Sequence, residues 1–309
     1  MSSTTTSHIL MVRPAHFCFN EETAASNAFQ SNDTSRTVAD IQTTAIAEFD
    51  AFVAQLRGKG VNVIVAQDSE TPVKPDAIFP NNWVSFHDDG TIITYPMYAP
   101  VRRLERSEAI LEHVNTLFDS EKRHHLEASE AEDLYLEGTG SMIFDRTNKL
   151  TYACLSPRTN NTVLDRFCDL TGFDKVVFTA VDANEQQIYH TNVMMAVGET
   201  FVVICLDTII DAEERAMVEQ VILDTDKEII DITLEQMSQF AGNMLQVKNE
   251  RNETYLIMSQ TAHKSLTDSQ LAQIENHTNI LPIPIPTIEK YGGGSVRCMM
   301  AEVFLKPKI

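Results

Sequence analysis

The sequence predicts an α/β protein of five repeated units, packed radially like blades around one axis. Two observations lead there. First, strand–turn–strand segments followed by a helix recur, starting at Asn82, Gly140, His190, Asn243 and Ser295. These starts lie about fifty residues apart, a period in the range of repeat architectures. Second, the last unit lacks its second half, and the N-terminal region supplies a strand, a helix and a strand that could complete it and close the ring.

The elements follow from local pattern. Residues 82–86 and 91–95 flank the turn Asp88-Asp89-Gly90 and read as a hairpin, with a charged helical stretch over 103–118 behind it. Residues 140–145 and 150–155 flank Thr147-Asn148, followed by a helix over 161–170 and an apolar strand over 176–179. Residues 190–197 and 201–206 flank Gly198-Glu199, with an amphipathic helix over 212–223. Residues 243–247 and 255–258 flank a turn over 249–252, with a helix over 268–276. The fifth strand runs from about Ser295 to Leu305, and the N-terminal pieces are strand 8–13, helix 37–57 and strand 61–66. No low-complexity linker divides the chain, so a single domain over 1–309 is expected.

A hydrophobic fraction of 43% and a charged fraction of 22% are ordinary for a globular protein. The net charge of −20 argues against nucleic acid and anionic membrane surfaces, both of which call for a basic footprint. The N-terminus has no basic start and apolar core of a signal peptide, and the most apolar stretch, 192–210, is broken by Glu199 and Asp207. Cys18, Cys154, Cys168, Cys205 and Cys298 form no close pairs, so neither a Cys-x-x-Cys metal site nor a disulfide framework is expected. A cytoplasmic protein without metal or organic cofactor is the resulting expectation, with a homo-oligomer left open.

Radial packing would bring the unit starts together. Asn82, Glu137, His190, Asn243 and Cys298 would then meet on the axis, a mixture suited to nucleophilic catalysis. Cys298 follows Gly292, Gly293 and Gly294, and a thiol needs a nearby positive charge to become a nucleophile; Arg297 and His190 are the candidates. Glu137 sits between apolar residues and a Gly-Thr-Gly turn, where an unpaired carboxylate would be costly. Asp76, Asn81 and Asn82 lie in a loop shaped by two prolines, and Arg158, Arg102 and Arg103 could hold a carboxylate through forked bonds.

Together these segments resemble the guanidine-modifying (pentein) superfamily of arginine deiminases, dimethylarginine dimethylaminohydrolases and amidinotransferases. The resemblance runs from MVRPAHF to GGGSVRCMMAEVFL and is strongest to the bacterial branch associated with citrulline utilisation. It implies a five-bladed α/β propeller with the site on its axis. It also implies Cys298 as nucleophile, His190 as general acid/base, and Glu137 as the residue orienting the substrate nitrogens and His190. Asp76 matches a substrate-contacting acid, Arg158 would bind the amino-acid carboxylate, and Arg103 is a second candidate for that task. The chain departs from the arginine deiminase pattern, which has aspartates where Asn82 and Asn192 stand and at the end of the Glu-Gly-Gly-Asp motif. Amides suit a neutral ureido group, whose carbonyl needs a donor, better than a guanidinium, which only donates. The expectation is hydrolysis of citrulline to ornithine, ammonia and carbon dioxide. The alternatives are an arginine deiminase or dimethylaminohydrolase reaction, amidino transfer, or a non-catalytic binding protein of the same fold.

Overall fold

The computed structural model describes residues 3–24, 27–32 and 35–308. Among them are five three-stranded sheets of one design, each an antiparallel pair extended by a parallel strand. In the first, Val84–Phe86 runs antiparallel to Thr91–Thr94, which pairs in parallel with Lys122–His125. The second joins Ile143–Asp145, Leu150–Cys154 and Asp174–Phe178. The third joins Met195–Val197, Phe201–Ile204 and Glu228–Asp231, and the fourth joins Leu245–Lys248, Thr254–Ser259 and Asn279–Ile283. The fifth is assembled from both ends of the chain. Ala301–Glu302 lies antiparallel to His8–Arg13, with Ile9 opposite Glu302, and His8–Arg13 pairs in parallel with Asn62–Gln67. A short ribbon pairs Phe118–Asp119 with Lys306–Pro307.

A parallel pair needs a crossover, and here helices provide it. Val38–Gly58 is capped by Thr37, whose hydroxyl accepts from the Asp40 N–H, and it buries Ile41, Ala45, Phe49, Phe52, Val53 and Leu56. Their spacing of three and four residues makes one apolar face. Asn160 caps Asn161–Thr171 and Asp211 caps Ala212–Asp224 in the same way. The helix expected over 103–118 is two helices, Pro100–Arg103 and Glu108–Leu117, because Ser107 caps the second from its own side chain.

The expected first strands start late. Short turns precede them at Pro80–Asn82, Gly138–Ser141 and Thr191–Val193. The Gly138–Ser141 turn packs against both of the others, which brings the starts of the first three units together. The sheets meet through their first strands. Met195–Val197 packs on Ile143–Asp145 and on Leu245–Lys248, and Ala301–Glu302 packs on Val84–Phe86. No helix among the described residues is long and apolar enough to cross a membrane.

Candidate active site

The turns ahead of the strands carry the polar residues inward. Gly138 makes this packing feasible: its φ is +46°, and a side chain there would collide with the Asn81 carbonyl. Gly140 is equally confined, since a Cβ would stand 2.8 Å from His190 Nδ1 and closer still to Asn82 Nδ2. Around them is a small cavity lined among others by Asp76, Asn82, Arg102, Arg158, Tyr189, His190, Gly294 and Cys298.

Glu137 is fully buried. Its Oε1 accepts from the Tyr98 N–H at 2.9 Å, and its Oε2 lies 2.7 Å from His190 Nε2. Arg158 Nη1 at 3.6 Å and Arg102 Nη1 at 3.9 Å face the same oxygen. Burial alone would raise this carboxyl, but Arg158, His190 and Arg102 more than reverse that and hold it well below the usual carboxylate range. Burial has the upper hand at His190 and lowers it to about 4, with Glu137 opposing. The imidazole is therefore neutral at neutral pH. An ionised Glu137 only accepts, so the proton sits on Nε2 and the lone pair is on Nδ1.

Cys298 sits in the turn before Ala301–Glu302, its N–H bonded to the Ser295 carbonyl at 3.0 Å. Its sulfur accepts from Asn192 Nδ2 and from Asn243 Nδ2, each at 3.3 Å. Burial pushes the thiols of Cys154 and Cys205 up to about 12 and that of Cys168 to about 11, in keeping with core or inert roles.

Asp76 is buried. Its Oδ2 accepts from Asn20 Nδ2 at 2.7 Å and Thr23 Oγ1 at 3.4 Å, while Oδ1 has no partner. Burial pushes this carboxyl up, with Arg102 opposing. Asn82 shows the reverse vacancy. Arg102 Nη1 donates to its Oδ1 at 2.9 Å, so that atom must be the oxygen, and the buried Nδ2 has no partner.

The structure thus brings Cys298, His190, Glu137, Asp76, Asn82 and Arg158 to one place. Asn192 is there too, but its amide meets the sulfur rather than the cavity, because the turn Thr191–Val193 lies beneath Cys298. Arg103 is not there. It donates to the Met97 carbonyl at 3.0 Å, lies 3.6 Å from Glu130, and its guanidinium sits 5.7 Å from the Tyr135 ring centre. Its neighbour Arg102 holds the inward position, clamped by two 2.9 Å bonds to Glu105. Of the two arginines that sequence offers for a carboxylate, the one expected, Arg103, points away and Arg102 points in; Glu105, three residues from Arg102, is the signal for it. Asn20, Thr23 and Tyr189 carried none. No group of three or more His, Cys, Asp or Glu among the described residues could hold a metal ion.

A sequence profile of the eukaryotic N,N dimethylarginine dimethylhydrolase family matches residues 13–305. No curated protein matches the chain by sequence. Among solved structures, the N-terminal domain of ArgZ covalently bound to a reaction intermediate superposes with a TM-score of 0.73 at 16% identity, covering 96% of this chain and 97% of that one. Full-length ArgZ, an arginine dihydrolase of the cyanobacterial ornithine–ammonia cycle, has a TM-score of 0.74 at 15% identity, and the chain spans 41% of it. A dimethylarginine dimethylaminohydrolase variant carrying an S-methyl-L-thiocitrulline adduct has a TM-score of 0.68 at 19% identity, covering 96% and 99%. These likenesses establish the shared α/β fold. ArgZ and dimethylarginine dimethylaminohydrolase are hydrolases acting on C–N bonds of guanidino compounds, and with a profile match across nearly its whole length the chain belongs to the dimethylarginine dimethylhydrolase family of the pentein superfamily.

Proposed function

We propose that this chain hydrolyses the ureido group of an α-amino acid, with citrulline as substrate and ornithine, ammonia and carbon dioxide as products. The Asn82 amide carries the reading. Arg102 takes its oxygen, so the site presents a buried NH₂ donor with no partner. A ureido carbonyl satisfies that donor, whereas a guanidinium has no acceptor to offer. Charge agrees at Glu137, which already faces Arg158 and Arg102 and so is not free to clasp a guanidinium.

Cys298 sulfur adds to the ureido carbon, and His190 Nδ1 takes up the thiol proton. The carbonyl oxygen gains charge beside Asn82 Nδ2. The C–N bond to the ornithine side chain breaks, His190 gives its proton to that nitrogen, and a carbamoyl thioester remains. Water then adds to the thioester carbon as His190 takes one of its protons. The C–S bond breaks, and the carbamate released falls apart to ammonia and carbon dioxide. Glu137 keeps His190 in the required tautomer. Arg158 holds the α-carboxylate, and the open Asp76 oxygen accepts from the α-ammonium group.

A second reading, hydrolysis of a guanidino amino acid, draws on Asp76, whose unpartnered oxygen would also suit a guanidinium. Purified protein offered citrulline, arginine and dimethylarginine separately, with products identified by mass, decides between them. Ornithine from citrulline supports the first reading. Citrulline left intact while arginine or dimethylarginine turns over overturns it. The architecture belongs to the same proposal: we read the five sheets as blades of one propeller, a single domain over 1–309, supported by the packing between their first strands.

A further inference from the structure

We propose that Asn243 and Asn192 form a two-donor cradle for the Cys298 sulfur, stabilising the negative charge it carries as its proton leaves for His190 and again when the thioester is cleaved. The inference rests on Cys298 being the nucleophile and is independent of which substrate it attacks.

Asn243 is oriented without ambiguity. Its Oδ1 accepts from the Arg297 N–H at 3.0 Å, so the opposite edge of the amide is the NH₂. That NH₂ reaches the Asn192 carbonyl at 3.0 Å and Cys298 Sγ at 3.3 Å. Asn192 Nδ2 comes to the same sulfur at 3.3 Å. All three residues are buried. Two N–H donors aimed at one sulfur match a thiolate, since a neutral thiol is only a weak acceptor.

The cations that the sequence offered for this task are committed elsewhere. The Arg297 guanidinium donates to the Met300 carbonyl at 3.0 Å and to Glu302 at 2.6 Å. His190 is a neutral base tied to Glu137. Arg102 is clamped by Glu105, and Arg158 faces Glu137. The amides contact the reacting atom directly. In the first step the sulfur gives an electron pair to the ureido carbon. In the last, after water has added, the C–S bond breaks and that pair returns to sulfur as thiolate, where both NH₂ groups meet it. The polar atoms come from the third and fourth units and the sulfur from the fifth, so the cradle exists only when these units are packed together.

Alkylation of Cys298 by iodoacetamide, read by peptide mass, tests this without any substrate. Asn243→Asp keeps the acceptor for Arg297 N–H and removes the donor; Asn192→Asp does the same on the other side. Each variant should alkylate at least about tenfold more slowly at neutral pH, the worth of one hydrogen bond to a charged acceptor. At alkaline pH, where every thiol is ionised, the rates should converge with that of the unaltered protein. An unchanged rate at neutral pH in either folded variant overturns the proposal. So does an equal loss at alkaline pH, which would mean that access to sulfur had closed. If neither variant folds, the pH profile of Cys298 alkylation in the unaltered protein decides: a thiol no easier to ionise than a free one overturns the cradle. Citrulline failing as a substrate would leave these outcomes intact.

Discussion

Asn82→Asp changes the substrate-facing NH₂ for an oxygen and leaves almost everything else in place. Either carboxylate oxygen can keep the 2.9 Å bond from Arg102 Nη1, so the loop and the Arg102–Glu105 clamp are retained. The other oxygen replaces the buried Nδ2 that has no partner in the free protein. In the proposed reaction that Nδ2 faces the oxygen that becomes negative as sulfur adds. Removing a single donor of this kind typically costs about 10²–10³ in kcat, or about 3–4 kcal/mol. A carboxylate in its place also repels the ureido oxygen in the ground state, so KM rises as well. Arginine, which only donates, should gain over citrulline. The assay is steady-state ornithine or citrulline formation from each substrate, with kcat and KM separated. Citrulline kcat/KM should fall by at least about 10²-fold. A value within about threefold of the unaltered enzyme would refute the role given to Asn82. Asn192 needs no companion change here, because its amide reads the sulfur rather than the substrate.

Gly140→Ala should cut turnover by about 10²-fold or more with little loss of secondary structure, because the added Cβ drives Asn82 and His190 apart and small misplacements are costly; retained kcat would contradict the tight packing seen there. The acidic limb of kcat/KM should lie near 4, where His190 takes up its proton, and a limb at the ordinary imidazole value would refute a neutral buried base. His87 is lowered to about 3 by burial, so between its ordinary value of 6.5 and that point the unfolded chain binds a proton that the folded one refuses. Stability should fall as pH drops through this window, and His87→Gln should remove about 2–3 kcal/mol of the loss between neutral pH and about pH 4.5; urea midpoints with equal acid sensitivity in both proteins would count against it.

Much of the architecture was legible because hairpins announce themselves locally. Asp89-Gly90 and Gly198-Glu199 mark turns between apolar runs, and the matching strands Thr91–Thr94 and Phe201–Ile204 are wholly buried. The pairing of the two chain ends was also readable, since the last unit was visibly incomplete. The strands that close the sheets were harder. Lys122–His125 is charged and only partly buried, and Glu228–Asp231 is a four-residue edge; each is a strand because a neighbour offers hydrogen bonds, and no sequence period records that.

The same boundary runs through the site. Cys298, His190 and Glu137 stood out by residue type, by local context and by their places in the repeat, which are properties of the chain alone. Which of two like residues does which task was decided in three dimensions. Arg102 and Arg103 are adjacent, and the helical turn Pro100–Arg103 sends one to Glu105 and Asn82 and the other to Met97 and Glu130. Asn82 and Asn192 both lie in the short turns that precede a unit's first strand, yet one amide is anchored by an arginine 20 residues away and the other by a sulfur 106 residues away. Sequence determined what chemistry the unit starts could supply, because side-chain type is written there. Only tertiary packing decided which atom each group faces, because a hydrogen bond takes its direction from partners that the fold brings in from elsewhere in the chain.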